Sequence, residues 1–161
     1  MGWRKFLLFT IFILLAGTSG FGLQDRTDPE GEAAELLKTH QKDRQAHLRT
    51  DVDLLLADHS DEFISVRSGK IAKSKKADTR KMFEGYFKGA HYYEWDDLEQ
   101  PIVRVSNDGS MGWIITRLKV RRTQKDSSGS EKEEKFVYAG IMTYEKRAGK
   151  WIKVANVSTF E

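Results

Sequence analysis

The sequence predicts an α+β domain in which a curved antiparallel sheet wraps around three N-terminal helices. Three observations predict it. Apolar residues at helical spacing are confined to the stretch between Asp28 and Lys88, which is interrupted by one alternating run, Phe63-Ile64-Ser65-Val66-Arg67. From His91 onward the spacing changes to a period of two. Turn residues at Asn107-Asp108-Gly109 and Arg147-Ala148-Gly149 divide that region into hairpins. Helices first and antiparallel strands after them make a layered fold rather than an alternating parallel one.

Residues 1–22 stand apart from this domain. Arg4 and Lys5 precede the apolar run Phe6 to Ala16, whose one polar residue is Thr10, and Gly17-Thr18-Ser19-Gly20 follows. A charged start, a short apolar centre and small residues near the cut are the layout of a secretory signal peptide. A run of 11 residues is short for a membrane span, which needs roughly 20. The expectation is export to a secreted or periplasmic location with cleavage between Gly20 and Gly22, the alternative being an uncleaved N-terminal anchor. The only contact with a membrane expected on this reading is through that segment before cleavage.

Removing Arg4 and Lys5 lowers the net charge from +3 to +1, so the basic balance of the whole chain implies no nucleic-acid partner. The chain has no cysteine. Stability must therefore come from an ordinary core, for which the 139 residues after position 22 suffice. Residues 23–31 read as a flexible mature N-terminus and residues 32–161 as the domain.

The first helix opens at Asp28-Pro29, with Asp28 as cap and Pro29 in the first helical position. Ala33, Leu36, Leu37, His40, Arg44, His47 and Leu48 share one of its faces, apolar at the start and polar at the end. A helix crossing the mouth of a cavity changes in this way. Thr50-Asp51-Val52-Asp53 reads as a capping box for a short second helix, with Thr50 as cap. His59, beside Asp58 at that helix's end, reads as a cation on the helix dipole. After the early strand and its Ser68-Gly69 turn, Ser74 to Lys88 returns to helix, carrying Met82, Phe83, Tyr86 and Phe87 as a stripe. His91 to Ser106 is extended and broken at Pro101, Ser110 to Arg122 is a long strand, and Lys125 to Glu134 reads as a solvated loop. Phe136 to Lys146 and Lys150 to Phe160 close the fold as a hairpin.

Several of these phrases together resemble one family. They are the long first helix running into a second at Thr50-Asp51, Phe63-Ile64-Ser65-Val66 followed by Gly69, Asn107-Asp108-Gly109, and Tyr144-Glu145-Lys146 ahead of Gly149-Lys150-Trp151. Residues 30–161 resemble the nuclear transport factor 2-like superfamily and, within it, the SnoaL-like group. The resemblance implies a cone-shaped, cystatin-like fold with a pocket, often dimeric through the outer sheet face. Ketosteroid isomerase, polyketide cyclases, dehydratases and the association domain of a calmodulin-dependent kinase share that fold, so it implies no single activity. The isomerase's aspartate base, tyrosine and protonated aspartic acid have no residue-by-residue counterpart here.

Strand alternation nominates the pocket lining. On the penultimate strand Phe136, Tyr138, Gly140, Met142 and Tyr144 share a face with bulk suited to a concave interior. Val137, Ala139, Ile141 and Thr143 form a flatter face suited to meeting a second copy. The same alternation assigns Trp113, Ile115 and Arg117, and Ile152, Val154, Asn156 and Ser158, to the concave side. Three roles are open to His47: general base oriented by Asp51, ligand contact, or structural residue bonded to Asp51 or a backbone carbonyl. Arg44, one turn earlier, either meets an anionic ligand group or stands on a solvated face. Trp95, followed by Asp96-Asp97, either covers a ligand or packs inward. No metal site is expected, because the histidines lack ligand spacing, and no phosphate loop or nucleophile elbow implies a cofactor. Asn156-Val157-Ser158 matches a glycosylation pattern but lies within a strand.

The functional expectation is an exported domain that binds a small, partly apolar molecule. Its alternatives are an enzyme of the same fold moving protons with His47 and Asp51 in an isomerase, cyclase or dehydratase reaction, or a non-catalytic dimerisation module.

Overall fold

The computed structural model describes residues 28–161, so the expected leader and its cleavage point lie outside the described residues. Helix α1 (Pro29–Arg49) opens at Pro29 as its sequence dictates, although the Asp28 side chain makes no capping hydrogen bond. Its end differs from the expected box. Thr50 adopts a left-handed conformation and closes α1 with its amide bonded to the last carbonyls. The neighbouring Asp51 caps α2 (Val52–Leu56) by accepting a hydrogen bond from the Leu54 amide at 2.9 Å. The cap is one residue later because Thr50 is needed to reverse the chain.

Strand β1 (His59–Arg67) begins earlier than its apolar run and forms a hairpin with β2 (Lys70–Lys75), which the sequence reading missed. A lysine-rich strand carries no core-facing alternation, since an edge strand in water requires none. Helix α3 (Lys76–Phe87) follows, with Phe87 buried and Phe83 and Tyr86 half-buried, but Met82 points into solvent. The broken extended segment is two strands, β3 (Ala90–Asp97) and β4 (Ile102–Val105), and both pair with β5 (Met111–Lys125). The expected charged loop is largely ladder. β5 and β6 (Glu131–Arg147) stay paired as far as Lys125 and Glu131, and only residues 126–130 turn. There the Asp126 carboxylate accepts the Ser128 and Ser130 amides at 2.8 and 3.0 Å.

Strand β7 (Lys150–Phe160) completes a sheet ordered β2-β1-β7-β6-β5-β3, with β4 beside β3 on β5. The sheet is mixed, because β1 runs parallel to β7 while every other pair is antiparallel. The α+β class and the curved sheet around the helices hold. No helix among the described residues is long and apolar enough to cross a membrane.

Register corrects two strand faces. Tyr144, Met142, Gly140, Tyr138 and Phe136 lie opposite Gly112, Ile114, Thr116, Leu118 and Val120, and these β5 residues are buried. Trp113, Ile115 and Arg117 therefore face outward, opposite Thr143, Ile141 and Ala139. The first half of β5 is apolar on both faces, with Trp113 and Ile115 outward and Ile114 inward, so alternation there cannot orient it, although Arg117, Lys119 and Arg121 mark the outward side further on. In β7, Tyr144 pairs with Lys153 but Thr143 pairs with Ala155, leaving Val154 as an extra residue. Such a bulge reverses the phase of a strand. Trp151 and Lys153 face inward before it, and Asn156 and Ser158 after it, whereas Ile152 and Val154 do not.

Two apolar clusters hold helices to sheet. Leu36, Ile114, Met142, Tyr144 and Trp151 form one. Ala46, Leu55, Phe87, Tyr92, Trp95, Leu118 and Val120 form the other. Gly112 admits the close approach between α1 and β5, since a Cβ there would stand 2.6 Å from a methyl of Leu36.

Candidate functional site: a polar layer between two cores

Along α1, the first cluster ends at Leu36 and the second begins at Ala46, and His40 and Asp43 lie between them. Along β5 the interval holds Thr116, and along β6 it holds Gly140. On β7 it holds Lys153 and Asn156. A helix and two strands thus bring polar side chains into one layer inside an otherwise apolar cone, and β6 adds the gap at Gly140. Gly140 leaves room for the Tyr138 ring to fold across the sheet, since an added Cβ would also meet the Val157 carbonyl at 2.7 Å.

The centre of the layer is an ion pair between Lys153 and Asp43, both largely withdrawn from water. Burial alone would lower the Lys153 pKa, but the Asp43 carboxylate, helped by the oxygens of Tyr144 and Tyr138, outweighs it and the value rises. Lys153 is a locked cation, neither a nucleophile nor a base at neutral pH. Tyr144 is fully buried against it, with the ammonium 5.8 Å from the ring centroid. Burial pushes the Tyr144 phenol up to about 12, so it stays protonated.

His47 sits beside this pair. Its Nδ1–H donates to the Asp43 carbonyl at 2.8 Å, leaving the Nε2 lone pair as the acceptor. Its ring stacks on Trp95, with centroids 3.6 Å apart and planes 11° apart. Phe87 and Tyr92 meet it edge-on. Burial in this aromatic box lowers its pKa to about 4, more than the Asp43 carbonyl and carboxylate raise it. Asp51 does not orient it: that carboxylate is spent on the α2 cap.

Three buried polar atoms in or next to the layer have no hydrogen-bond partner: Tyr144 Oη, Thr116 Oγ1 and Asn156 Oδ1. Ser158 follows Asn156 on the same inner face, opposite Gly140. Tyr138 donates only a long contact to Met142 Sδ at 3.6 Å. An unpartnered buried polar atom costs about 1–3 kcal/mol, a cost that a water or a ligand group relieves.

Of the residues nominated from sequence, Tyr138, Met142, Tyr144, Asn156, Ser158 and His47 share this interior. Trp113 does not, because it faces outward. Arg44 does not reach it either. Its guanidinium is held at the surface by Asp96, 2.5 Å from Nη2 to Oδ1. Trp95 packs inward at 7% exposure, its face covered by His47. Residues missed from sequence are Asp43, Lys153, Thr116 and the pair His40–Asp97, in which Nε2–H donates to both carboxylate oxygens at 2.9 and 3.0 Å. His59 is also reassigned. It is the buried first residue of β1, and burial with the nearby Lys153 and Lys76 ammonium groups depresses it to about 2, so it is no helix-end cation. No group of three or more potential metal ligands occurs among the described residues.

No protein-family model matches the chain, and no curated protein matches it. Solved structures do. A ketosteroid isomerase-like protein from Erwinia carotovora atroseptica SCRI1043 superposes with a TM-score of 0.62 at 15% identity, covering 79% of this chain and 94% of that one. A putative calmodulin-dependent kinase II association domain from Exiguobacterium sibiricum 255-15 superposes with a TM-score of 0.64 at 9% identity, covering 83% and 96%. An NTF2-like protein of unknown function from Pseudomonas putida KT2440 gives 0.60 at 14% identity, covering 81% and 87%. Likeness at such identities establishes the fold and no activity.

Proposed function

We propose that this chain, which has the nuclear transport factor 2-like, cystatin-like fold of those structures, binds a small, partly apolar molecule in its cone. The observation that carries the reading is the set of unpartnered atoms on Tyr144, Thr116 and Asn156 beside the neutral His47. Asn156 Oδ1 and His47 Nε2 accept hydrogen bonds, while the protonated Tyr144 donates one. A ligand with an apolar body and a hydroxyl or amide satisfies such a set. The locked Lys153 and a histidine depressed to about 4 favour binding over proton transfer, since a base of that strength is poorly matched to pH 7.

A fragment screen by thermal shift, run on the parent and on Asn156→Leu, tests the reading. Removing the unpartnered amide should leave the free protein as stable or more so, yet weaken each hit by about 3- to 10-fold, the worth of one hydrogen bond. Hits bound equally by both proteins would place the ligand elsewhere.

Dimerisation through the outer sheet face belongs to the same proposal. Ile102, Ile115, Ile141, Val157 and Val66 are mutually paired across five strands there, and Ile102, Ile115 and Val157 are 40–50% exposed. A continuous apolar row of that kind suits a second copy. Ile141→Lys should convert a dimer to a monomer in solution mass measurements, because it places a charge at the centre of the row. An unchanged dimer mass would exclude this face.

Export is proposed from Arg4, Lys5 and the apolar run that follows them. Amino-terminal sequencing of protein from the producing cell should begin after Gly20 or Gly22. Membrane-bound protein that still begins at Met1 would mean an anchor.

A further inference from the structure

Charge is distributed unevenly over the domain. Residues 67–81 contain seven lysines and arginines against one acid, Asp78, a net +6. The rest of residues 23–161 is therefore −5, since that whole stretch carries +1. The cations are concentrated on the β1–β2 hairpin and the start of α3, at the edge of the sheet. Arg80 is neutralised by Asp53 at 2.7 Å, and Lys76 donates to the His59 carbonyl. Lys70, Lys73 and Lys75 form no ion pair among the described residues, and all three are exposed.

Beside the hairpin tip is Ile71, which at 75% exposure is the most exposed large apolar side chain described. It pairs with Val66, on the same sheet face as Lys73 and Lys75. An isoleucine in water beside lysines gains nothing from the fold, and edge-strand lysines alone would already discourage strand pairing. The aromatic rings of the hairpin, His59 and Phe63, are buried, so it offers no open ring on which a nucleic-acid base could stack.

We infer that the β1–β2 hairpin docks the protein on an anionic bilayer surface, with Lys70, Lys73 and Lys75 over the headgroups and Ile71 entering the headgroup–acyl boundary. Basic residues near such a surface each add attraction, and a small apolar wedge adds the rest. Through its pairing with Val66, Ile71 stands at the rim of the apolar row proposed as the dimer face, three strands from that row's centre at Ile141, so the monomeric Ile141→Lys variant should bind vesicles as the parent does. The inference stands independently of the ligand proposed for the cone.

Co-sedimentation of the exported protein with vesicles tests it. The protein should sediment with vesicles containing roughly one-third phosphatidylglycerol and stay in solution with pure phosphatidylcholine, the anionic surface supplying the attraction. Raising salt from about 0.1 M to about 1 M, which shortens the screening length from ~10 to ~3 Å, should release it. The triple variant Lys70→Gln/Lys73→Gln/Lys75→Gln should lose about 100-fold in partitioning, near fivefold for each charge. Ile71→Ser should lose about tenfold. All four side chains are exposed, and unchanged melting curves would show that the fold is retained. Lys132→Gln/Lys135→Gln, remote on β6, should bind as the parent does. Binding that is equal on neutral vesicles, that survives the triple variant, or that is lost equally in the β6 variant would overturn the inference. So would tighter binding to a single-stranded oligonucleotide than to the vesicles.

Discussion

Asp43→Asn should lower the unfolding free energy by about 3–5 kcal/mol, because it strands the Lys153 ammonium, at 7% exposure, without its counter-charge. In a chain of this size that is a fall of about 10–20 °C in melting temperature. Lys153→Met should cost less, since the Asp43 side chain keeps 18% of its surface in contact with solvent and can be hydrated where it stands. The double change Asp43→Leu/Lys153→Met removes both charges and replaces them with apolar bulk between two apolar clusters. It should recover most of the loss, for well-packed apolar replacements of buried pairs are often neutral or better. Denaturant unfolding of the four proteins measures the three costs side by side. A cost below about 1 kcal/mol for Asp43→Asn would mean that the pair behaves as a screened surface bridge.

That ion pair marks where sequence reasoning stopped. The helix-then-sheet order, the long β5–β6–β7 region and the inward face of β6 were legible, since each rests on local periodicity: Phe136, Tyr138, Met142 and Tyr144 announce a concave face by their size. Lys153 was not legible. A lysine in a strand reads as solvent-facing, and only the docking of α1 places Asp43 over it, from 110 residues away in sequence. The bulge at Val154 compounds the difficulty, because alternation counted through it assigns Ile152 and Val154 to the wrong side. The outward turn of Trp113 has a related origin. At Trp113 and Ile115 the outward face of β5 is as apolar as its core face, so the local pattern there leaves its phase to the register with β6. His47 was found by its position on the helix face, and of the two partners open to it as a structural residue, Asp51 or a backbone carbonyl, it is the carbonyl of Asp43, four residues back, that holds the ring.

Stability should fall steeply as pH drops from about 6.5 to 4, and two histidines account for it. His47 is depressed to about 4 and His59 to about 2, both by burial first, whereas each titrates near 6.5 when unfolded. A group whose folded pKa is depressed while its unfolded pKa is ordinary stays neutral in the native state and takes up a proton only on unfolding. Above pH 6.5 neither state binds that proton and nothing is lost; below it, the unfolded state alone is favoured by acid, until the folded pKa is reached. Near pH 5 the two residues together give a slope of about 2.7 kcal/mol per pH unit, two protons at ~1.36 each. Between pH 7.5 and 5 the domain should therefore lose about 4 kcal/mol. In His47→Gln the slope near pH 5 should halve, because one of the two protons no longer exists. That signature separates a buried neutral imidazole from a solvated one, whose substitution would leave the slope unchanged. Denaturant melts at half-unit pH intervals on parent, His47→Gln and His59→Gln measure it, and a parent stability that is flat from pH 7.5 to 5 would show that neither ring is neutral by burial.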